Sequence, residues 1–214
     1  MTWEVAVGLP REESENDAWK RMLGGRWYHP VSPELVAARG RAAEALARVE
    51  ACGTAGREHE RDAALRELLG SLGEGAQISA GLRVDYGCNI HVGRDVFVNY
   101  ELVALDCAEI HIGDGVLIGP RCQLLTPIHP MDDVTSRRAG FERALPIVLE
   151  ENVWLGGGVV VNPGVRIGAG SVIGSGSVVT RDVPAGVFAA GVPARVVRPL
   201  SEDVLDPSEL PGER

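Results

Sequence analysis

The 214-residue chain has no run of eighteen apolar residues. A helix that crosses a bilayer needs roughly that many, so no membrane span is expected. The start, Met1-Thr-Trp-Glu-Val-Ala, lacks a basic stretch followed by a long apolar one, which argues against a secretory signal. The four cysteines, Cys52, Cys88, Cys107 and Cys122, show no CxxC spacing. They read as reduced thiols of a cytoplasmic protein. Positive charge is also short: Lys and Arg total 21 against 30 Asp and Glu, a net charge of -9. Nucleic acid is therefore not an expected partner. One stretch runs against this balance. Residues 181–198 carry Arg181, Arg195 and Arg198 against a single Asp182. Such a cluster on an acidic protein suits a phosphorylated ligand, or is simply a solvated face.

What the chain does have is a six-residue beat. Leu149, Leu155, Val161, Ile167, Ile173 and Val179 are spaced by six, and a small or β-branched residue follows each at the fourth position: Val153, Val159, Val165, Ser171, Ser177, Val183. Helices repeat near 3.6 and exposed strands near two, so neither yields a strict six. A coil of short strands joined by tight turns does, and self-similarity of this kind marks a solenoid. Upstream, Val92, Val98 and Ala104 keep the beat, as do Ile112, Ile118 and Leu124. An eight-residue step between Ala104 and Ile112 places a two-residue insertion near Asp106 and Cys107. Three hexads make one triangular coil, so 92–109, 112–129, 149–166 and 167–184 form four coils, with 78–91 as an irregular start. The beat breaks between Leu124 and Leu149, where 24 residues intervene. That break reads as one coil corner followed by a long surface loop, and such loops on rigid repeats commonly carry function.

Before the repeat the pattern is helical. Residues 11–27 suit a short helix with Trp19, Met22 and Leu23 on one face. Ser32-Pro-Glu suits a helix start, and Leu35, Ala38, Ala42, Leu46 and Val49 stripe the run 34–51. A third helix is expected over 57–70. The chain thus divides into a helical N-terminal unit (1–75), a β-helix (76–198) and an acidic tail (199–214).

Several blocks carry a family resemblance: Asp85-Tyr-Gly-Cys-Asn-Ile-His-Val-Gly, Phe97-Val-Asn-Tyr, Ile112-Gly-Asp, His129-Pro, Asn152-Val-Trp-Leu-Gly, Asn162-Pro-Gly-Val-Arg-Ile-Gly, Val178-Val-Thr-Arg-Asp-Val-Pro and Ala190-Gly-Val-Pro-Ala-Arg. In this order, from about residue 20 to 200, they resemble the hexapeptide-repeat sugar O-acetyltransferases of the maltose and galactoside group. The resemblance implies a mainly β fold, a left-handed parallel β-helix with a small helical start. It also implies a homotrimer with active sites between subunits, acetyl-CoA as co-substrate, no required metal, and a small hydroxyl acceptor such as a sugar.

Acetyl transfer from a thioester to a hydroxyl needs a base, stabilisation of the oxyanion and a held donor. His129, where the repeat yields to the loop, is the expected general base. Asn99 stands where the hexad normally has a small residue; the resemblance implies contact with the acceptor and the tetrahedral intermediate, and the alternative is a turn-stabilising Asn. Glu142 resembles the glutamate that orients the catalytic histidine, although the loop is one residue longer here. Asp85 and Asp106 match acceptor-contacting positions. Trp154 either walls the acyl-donor channel or fills a subunit contact. Gly157, Ser175, Thr180, Arg181, Arg195 and Arg198 match donor-binding positions, with Gly157 in place of a side-chain donor and Arg181 in place of the commoner Lys. His91 and His111 precede the starts of successive coils and are expected to stack outward; a zinc site would need a third histidine. His29-Pro-Val-Ser replaces an acidic acceptor contact. Alternatives are another small acceptor (serine, an amino sugar or an antibiotic) or a non-catalytic scaffold. A scaffold has no need for His129, Asn99 and three arginines together.

Overall fold

The computed structural model describes residues 15–52 and 57–201. Three helices come first: α1 (Glu15–Leu23), α2 (Pro33–Ala51) and α3 (Glu58–Leu68). The expected helix over 11–27 is therefore described only from residue 15, and most of the tail lies outside the described residues. Pro33 starts α2 with its fixed φ, but the Ser32 hydroxyl makes no cap bond. The apolar stripe of α2 falls on Leu35, Ala38, Ala42, Ala45 and Val49. Leu23 of α1 is exposed, whereas Met22 is buried.

The rest is a parallel β-solenoid with three faces. Face one stacks Ser71–Leu72, Ile90–Val92, Ile110–Ile112, Ile147–Leu149 and Arg166–Ile167. Face two stacks Gln77–Ile78, Phe97–Val98, Leu117–Ile118, Trp154–Leu155, Val172–Ile173 and Val187–Gly191. Face three stacks Arg83–Val84, Val103–Leu105, Gln123–Leu125, Val160–Val161 and Val178–Val179. Register is in phase: Leu149 sits over Ile112 and under Ile167, and Leu155 between Ile118 and Ile173.

The structure corrects the expected irregular start. Residues 71–91 form a regular first coil, with Ser71 paired to His91 and Leu72 to Val92. Leu72, Ile78 and Val84 already keep the six-residue beat, and an eight-residue step to Val92 repeats the insertion seen at Asp106 and Cys107. The solenoid's first strand therefore lies ahead of residue 76.

Period six arises because each face offers one inward side chain and each corner tucks in a second. Leu149, Leu155, Val161, Ile167, Ile173 and Val179 are all at most 1% exposed. Burying an aliphatic side chain of this size stabilises by roughly 1.5–3 kcal/mol. Ser171 and Ser177 take corner positions and are buried, yet each hydroxyl is satisfied: Ser171 donates to the Pro184 carbonyl at 2.7 Å and Ser177 accepts the Gly191 N–H at 3.0 Å. The corner between faces one and two is left-handed in every coil, at Gly75, Asp95, Gly115, Asn152, Gly170 and Gly186. Glycine, Asp and Asn adopt that conformation at least cost. At the next corner Glu101 and Arg121 are left-handed despite their bulk. They stack in successive coils, with Arg121 donating to Glu101 at 2.7 Å.

Both ends of the stack are covered. Leu65, Leu68 and Leu69 join the core below the first coil. At the other end Ala194–Pro199 pairs antiparallel with Val187–Gly191.

Candidate active site

After the third coil the chain leaves the corner between faces three and one. Pro127–Ile128 pairs antiparallel with Arg143–Ala144, and these two arms frame the loop. A short helix, α4 (Val134–Arg138), begins where Asp133 accepts the Ser136 N–H at 3.0 Å. His129 follows the first arm, and its side chain is 57% exposed.

The imidazole's tautomer follows from its neighbours. Nδ1 lies 3.2 Å from the Phe141 carbonyl oxygen. A carbonyl only accepts, so Nδ1 carries the proton and the neutral ring presents the Nε2 lone pair outward. Oε2 of Glu142 stands 3.8 Å from Nε2. That is too long for a hydrogen bond, but close enough to stabilise an imidazolium once Nε2 gains a proton. The other Glu142 oxygen, Oε1, accepts the Tyr28 hydroxyl at 2.5 Å. Glu142 and His129 are thus brought together as expected from the sequence.

Asp85 is half-buried and accepts a hydrogen bond from the Cys107 thiol at 3.3 Å. Burial, with the Asp85 charge beside it, pushes the Cys107 thiol up from its ordinary pKa. Asp106 departs from expectation. It is 0% exposed, and its carboxylate accepts the backbone N–H groups of Asp85 and Tyr86 (3.0 and 2.8 Å) and of Asn89 (3.2 Å). Burial raises its pKa, while the N–H groups of Tyr86, Gly87 and Asn89 oppose the rise. Asp106 therefore shapes the turn that presents Asp85, and Cys107 is the neighbour that reaches the Asp85 carboxylate.

Asn99 is half-buried at the corner between faces two and three of the second coil. Its Oδ1 accepts the Tyr100 N–H at 2.8 Å, which fixes the amide and leaves its NH₂ as a donor. Asn99 and His129 lie on different edges of the same three-sided prism.

A groove beside His129 is lined by Ile128, Met131, Asn162, Pro163 and Thr180. Thr180 thus falls next to the candidate base. Gly157 and Ser175 occupy the corner between faces two and three in the fourth and fifth coils. A Cβ at Gly157 would meet only Pro120 at 3.5 Å, an ordinary contact. Arg181 is exposed at the corner after face three. Arg195 and Arg198 are three apart, which on a regular strand would point them oppositely. A bulge between Phe188 and Ala189 pairs Arg195 with Ala190 and Arg198 with Phe188, so both arginines share one face. Trp154 stands 51% exposed on face two between Leu117 and Val172, and Phe97 extends this apolar ladder. His91 and His111 stack on face one with ring centroids 5.0 Å apart, and His111 Nε2 lies 2.8 Å from Glu109.

Comparison with known proteins identifies the family. Residues 21–73 match the maltose acetyltransferase hexapeptide capping motif, and 146–181 match six bacterial transferase hexapeptide repeats. Nodulation protein L of Rhizobium meliloti is 46% identical over 83% of this chain and 96% of its own length. Galactoside O-acetyltransferase of Escherichia coli is 42% identical over 67% of this chain and 70% of its own. A hexapeptide-repeat acetyltransferase of Vibrio cholerae, solved with acetyl coenzyme A, superposes with a TM-score of 0.79 at 39% identity, covering 89% of this chain and all of the other. The chain belongs to the hexapeptide-repeat acetyltransferases, in the maltose and galactoside O-acetyltransferase group. It is accordingly an acyl-transferring enzyme.

Proposed function

We propose that the protein transfers acetyl from acetyl-CoA to a hydroxyl of a sugar or sugar-like acceptor, with His129 as general base. The observation that carries this reading is the contact of His129 Nδ1 with the Phe141 carbonyl at 3.2 Å, which leaves Nε2 beside Glu142. In the reaction Nε2 takes the acceptor hydroxyl proton as that oxygen bonds to the thioester carbonyl carbon. The carbonyl electrons move to oxygen, and the Asn99 NH₂ donates to this oxyanion. Collapse then breaks the carbon–sulfur bond, and the proton passes from Nε2 to the departing coenzyme A sulfur. Glu142 stabilises the imidazolium between those steps. Asp85 accepts from acceptor hydroxyls.

Donor binding is assigned to Gly157, Ser175, Thr180, Arg181, Arg195 and Arg198, with Trp154 along the acyl channel. The shared face of Arg195 and Arg198 supports a phosphate site there. We read the working form as a homotrimer with sites between subunits. Support comes from the exposed ladder Phe97, Leu117 and Trp154 and from the placement of Asn99 and His129 on different edges, which a neighbouring copy would complete. A cytoplasmic setting suits the four free thiols.

The test is an acceptor screen with acetyl-CoA, read by thiol release, over sugars, thioglycosides, polyols and amino acids. A sugar or polyol should be preferred. His129→Ala should lose at least ~10² in turnover, because general base catalysis supplies about 10²–10⁴. A serine-type acceptor as the best substrate would overturn the acceptor class. Retention of more than about a tenth of the rate by His129→Ala would overturn the base, since a tenfold loss falls short of that contribution.

A further inference from the structure

We infer that Tyr28 is a positioning residue for acetyl transfer: its hydroxyl sets the Glu142 carboxylate, and through Glu142 it sets His129. This rests on the reading of His129 as the base.

The loop that carries His129 is crossed by the N-terminal unit at three consecutive residues. Tyr28 and Glu142 form an antiparallel bridge, with Tyr28 N–H donating to the Glu142 carbonyl at 2.8 Å and the reverse bond at 3.1 Å. On either side the flanking residues grip the same segment. The Arg143 guanidinium lies 5.1 Å from the Trp27 ring centroid. His29 donates from Nε2 to the Ala139 carbonyl at 2.8 Å and meets the Phe141 ring edge-on at 5.6 Å. Phe141 is also the residue whose carbonyl holds Nδ1 of His129. These contacts fix the backbone around the base.

The Tyr28 phenol does something the others do not. It is 1% exposed, and its hydroxyl reaches Oε1 of the carboxylate whose Oε2 faces the base. Burial pushes the phenol's pKa far up, and the neighbouring Cys107 and Glu142 add to this, so Tyr28 stays a donor. The titratable groups around the pair are Cys107, which donates to Asp85, and His129 itself. Without the hydroxyl, a nearly buried carboxylate oxygen would lose its partner. It would then turn toward solvent or take up a proton, because an unpaired buried charge is costly. Either outcome withdraws negative charge from beside His129.

The test uses Tyr28→Phe, which keeps the ring, together with Glu142→Gln and the double variant. Tyr28→Phe should lower kcat about tenfold, or about 1.4 kcal/mol, with donor KM unchanged. Glu142→Gln should likewise lower kcat with donor KM unchanged. In the Glu142→Gln background, adding Tyr28→Phe should change kcat by less than about twofold, the non-additivity expected of residues acting through one contact. Fully additive losses, or a wild-type kcat in Tyr28→Phe, would overturn the role of Tyr28 alone. Wild-type turnover in His129→Ala would overturn the base and this inference together. Should Tyr28→Phe fail to fold, Glu142→Gln decides: a wild-type kcat there would equally overturn it.

Discussion

Two parts of the prism use the same edge in opposite ways. Between Val161 and Ile167 the corner from face three to face one spans a single hexad, and its inward residues are fully buried. Between Leu124 and Leu149 the same corner spends 24 intervening residues and carries the exposed imidazole of His129. The strands on either side stay in register across the excursion, since Ile147–Leu149 pairs with Ile110–Ile112 as though nothing intervened. The stack therefore supplies stability and position, and the proposed base stands where the chain leaves it. The loop in turn has no repeat to hold it and relies on Trp27, Tyr28 and His29.

The strongest way to test this division is to damage the stack. Leu155 is fully buried between Ile118 and Ile173. Leu155→Ala should cost about 2–5 kcal/mol of stability through the cavity it leaves. Denaturant unfolding measures this, and KM for acetyl-CoA should stay near wild type below the transition. A shift under about 1 kcal/mol would mean that the coils do not carry the stability assigned to them, since cavities of this kind cost more.

The converse comes from the capping hairpin. Arg195→Ala and Arg198→Ala should each weaken acetyl-CoA binding about tenfold, or about 1.4 kcal/mol, without changing the melting temperature. Loss of a charge-assisted phosphate contact is the cause, and rising salt should narrow the gap because both side chains are exposed. Calorimetry against acetyl-CoA and its 3′-dephospho form would identify which arginine reaches that phosphate. Equal affinities in wild type and both variants would return the pair to a solvated face.

The smallest effect is expected on face one. Glu150 accepts the Ala169 N–H at 2.9 Å and pairs with Arg166, and these hold its carboxyl below the usual range, the backbone contact most strongly. A lowered folded pKa stabilises above the ordinary carboxylate range, and the contribution is lost as pH falls through the lowered value. Glu150→Gln should therefore flatten the acid side of the melting-temperature profile slightly and leave turnover unchanged. An unaltered profile would show that this exposed pair contributes nothing measurable.

Much of the stack was legible because its rule is local. Each inward side chain is announced six positions ahead, so Leu149 to Val179 and the His129 corner stand out without any tertiary information. The first coil was harder to read. Leu72, Ile78 and Val84 keep time, but an eight-residue step and the adjoining helix obscure their continuity with Val92. Asp106 shows a different limit. The family resemblance implied an acceptor contact there, and only the fold reveals that three backbone N–H groups occupy its carboxylate.

The sequence by itself determined the period, the inward residues and the site of the excursion, because a solenoid builds each coil from contacts between neighbours one coil apart. The tertiary structure alone decided how His129 is held. Tyr28 and Glu142 are separated by 114 positions. No periodicity links them, and Cys107 meets Asp85 only because an insertion in one coil falls over the corner of the coil before it. Contacts of that kind depend on where rigid units come to rest against one another, and a one-dimensional pattern carries no record of it.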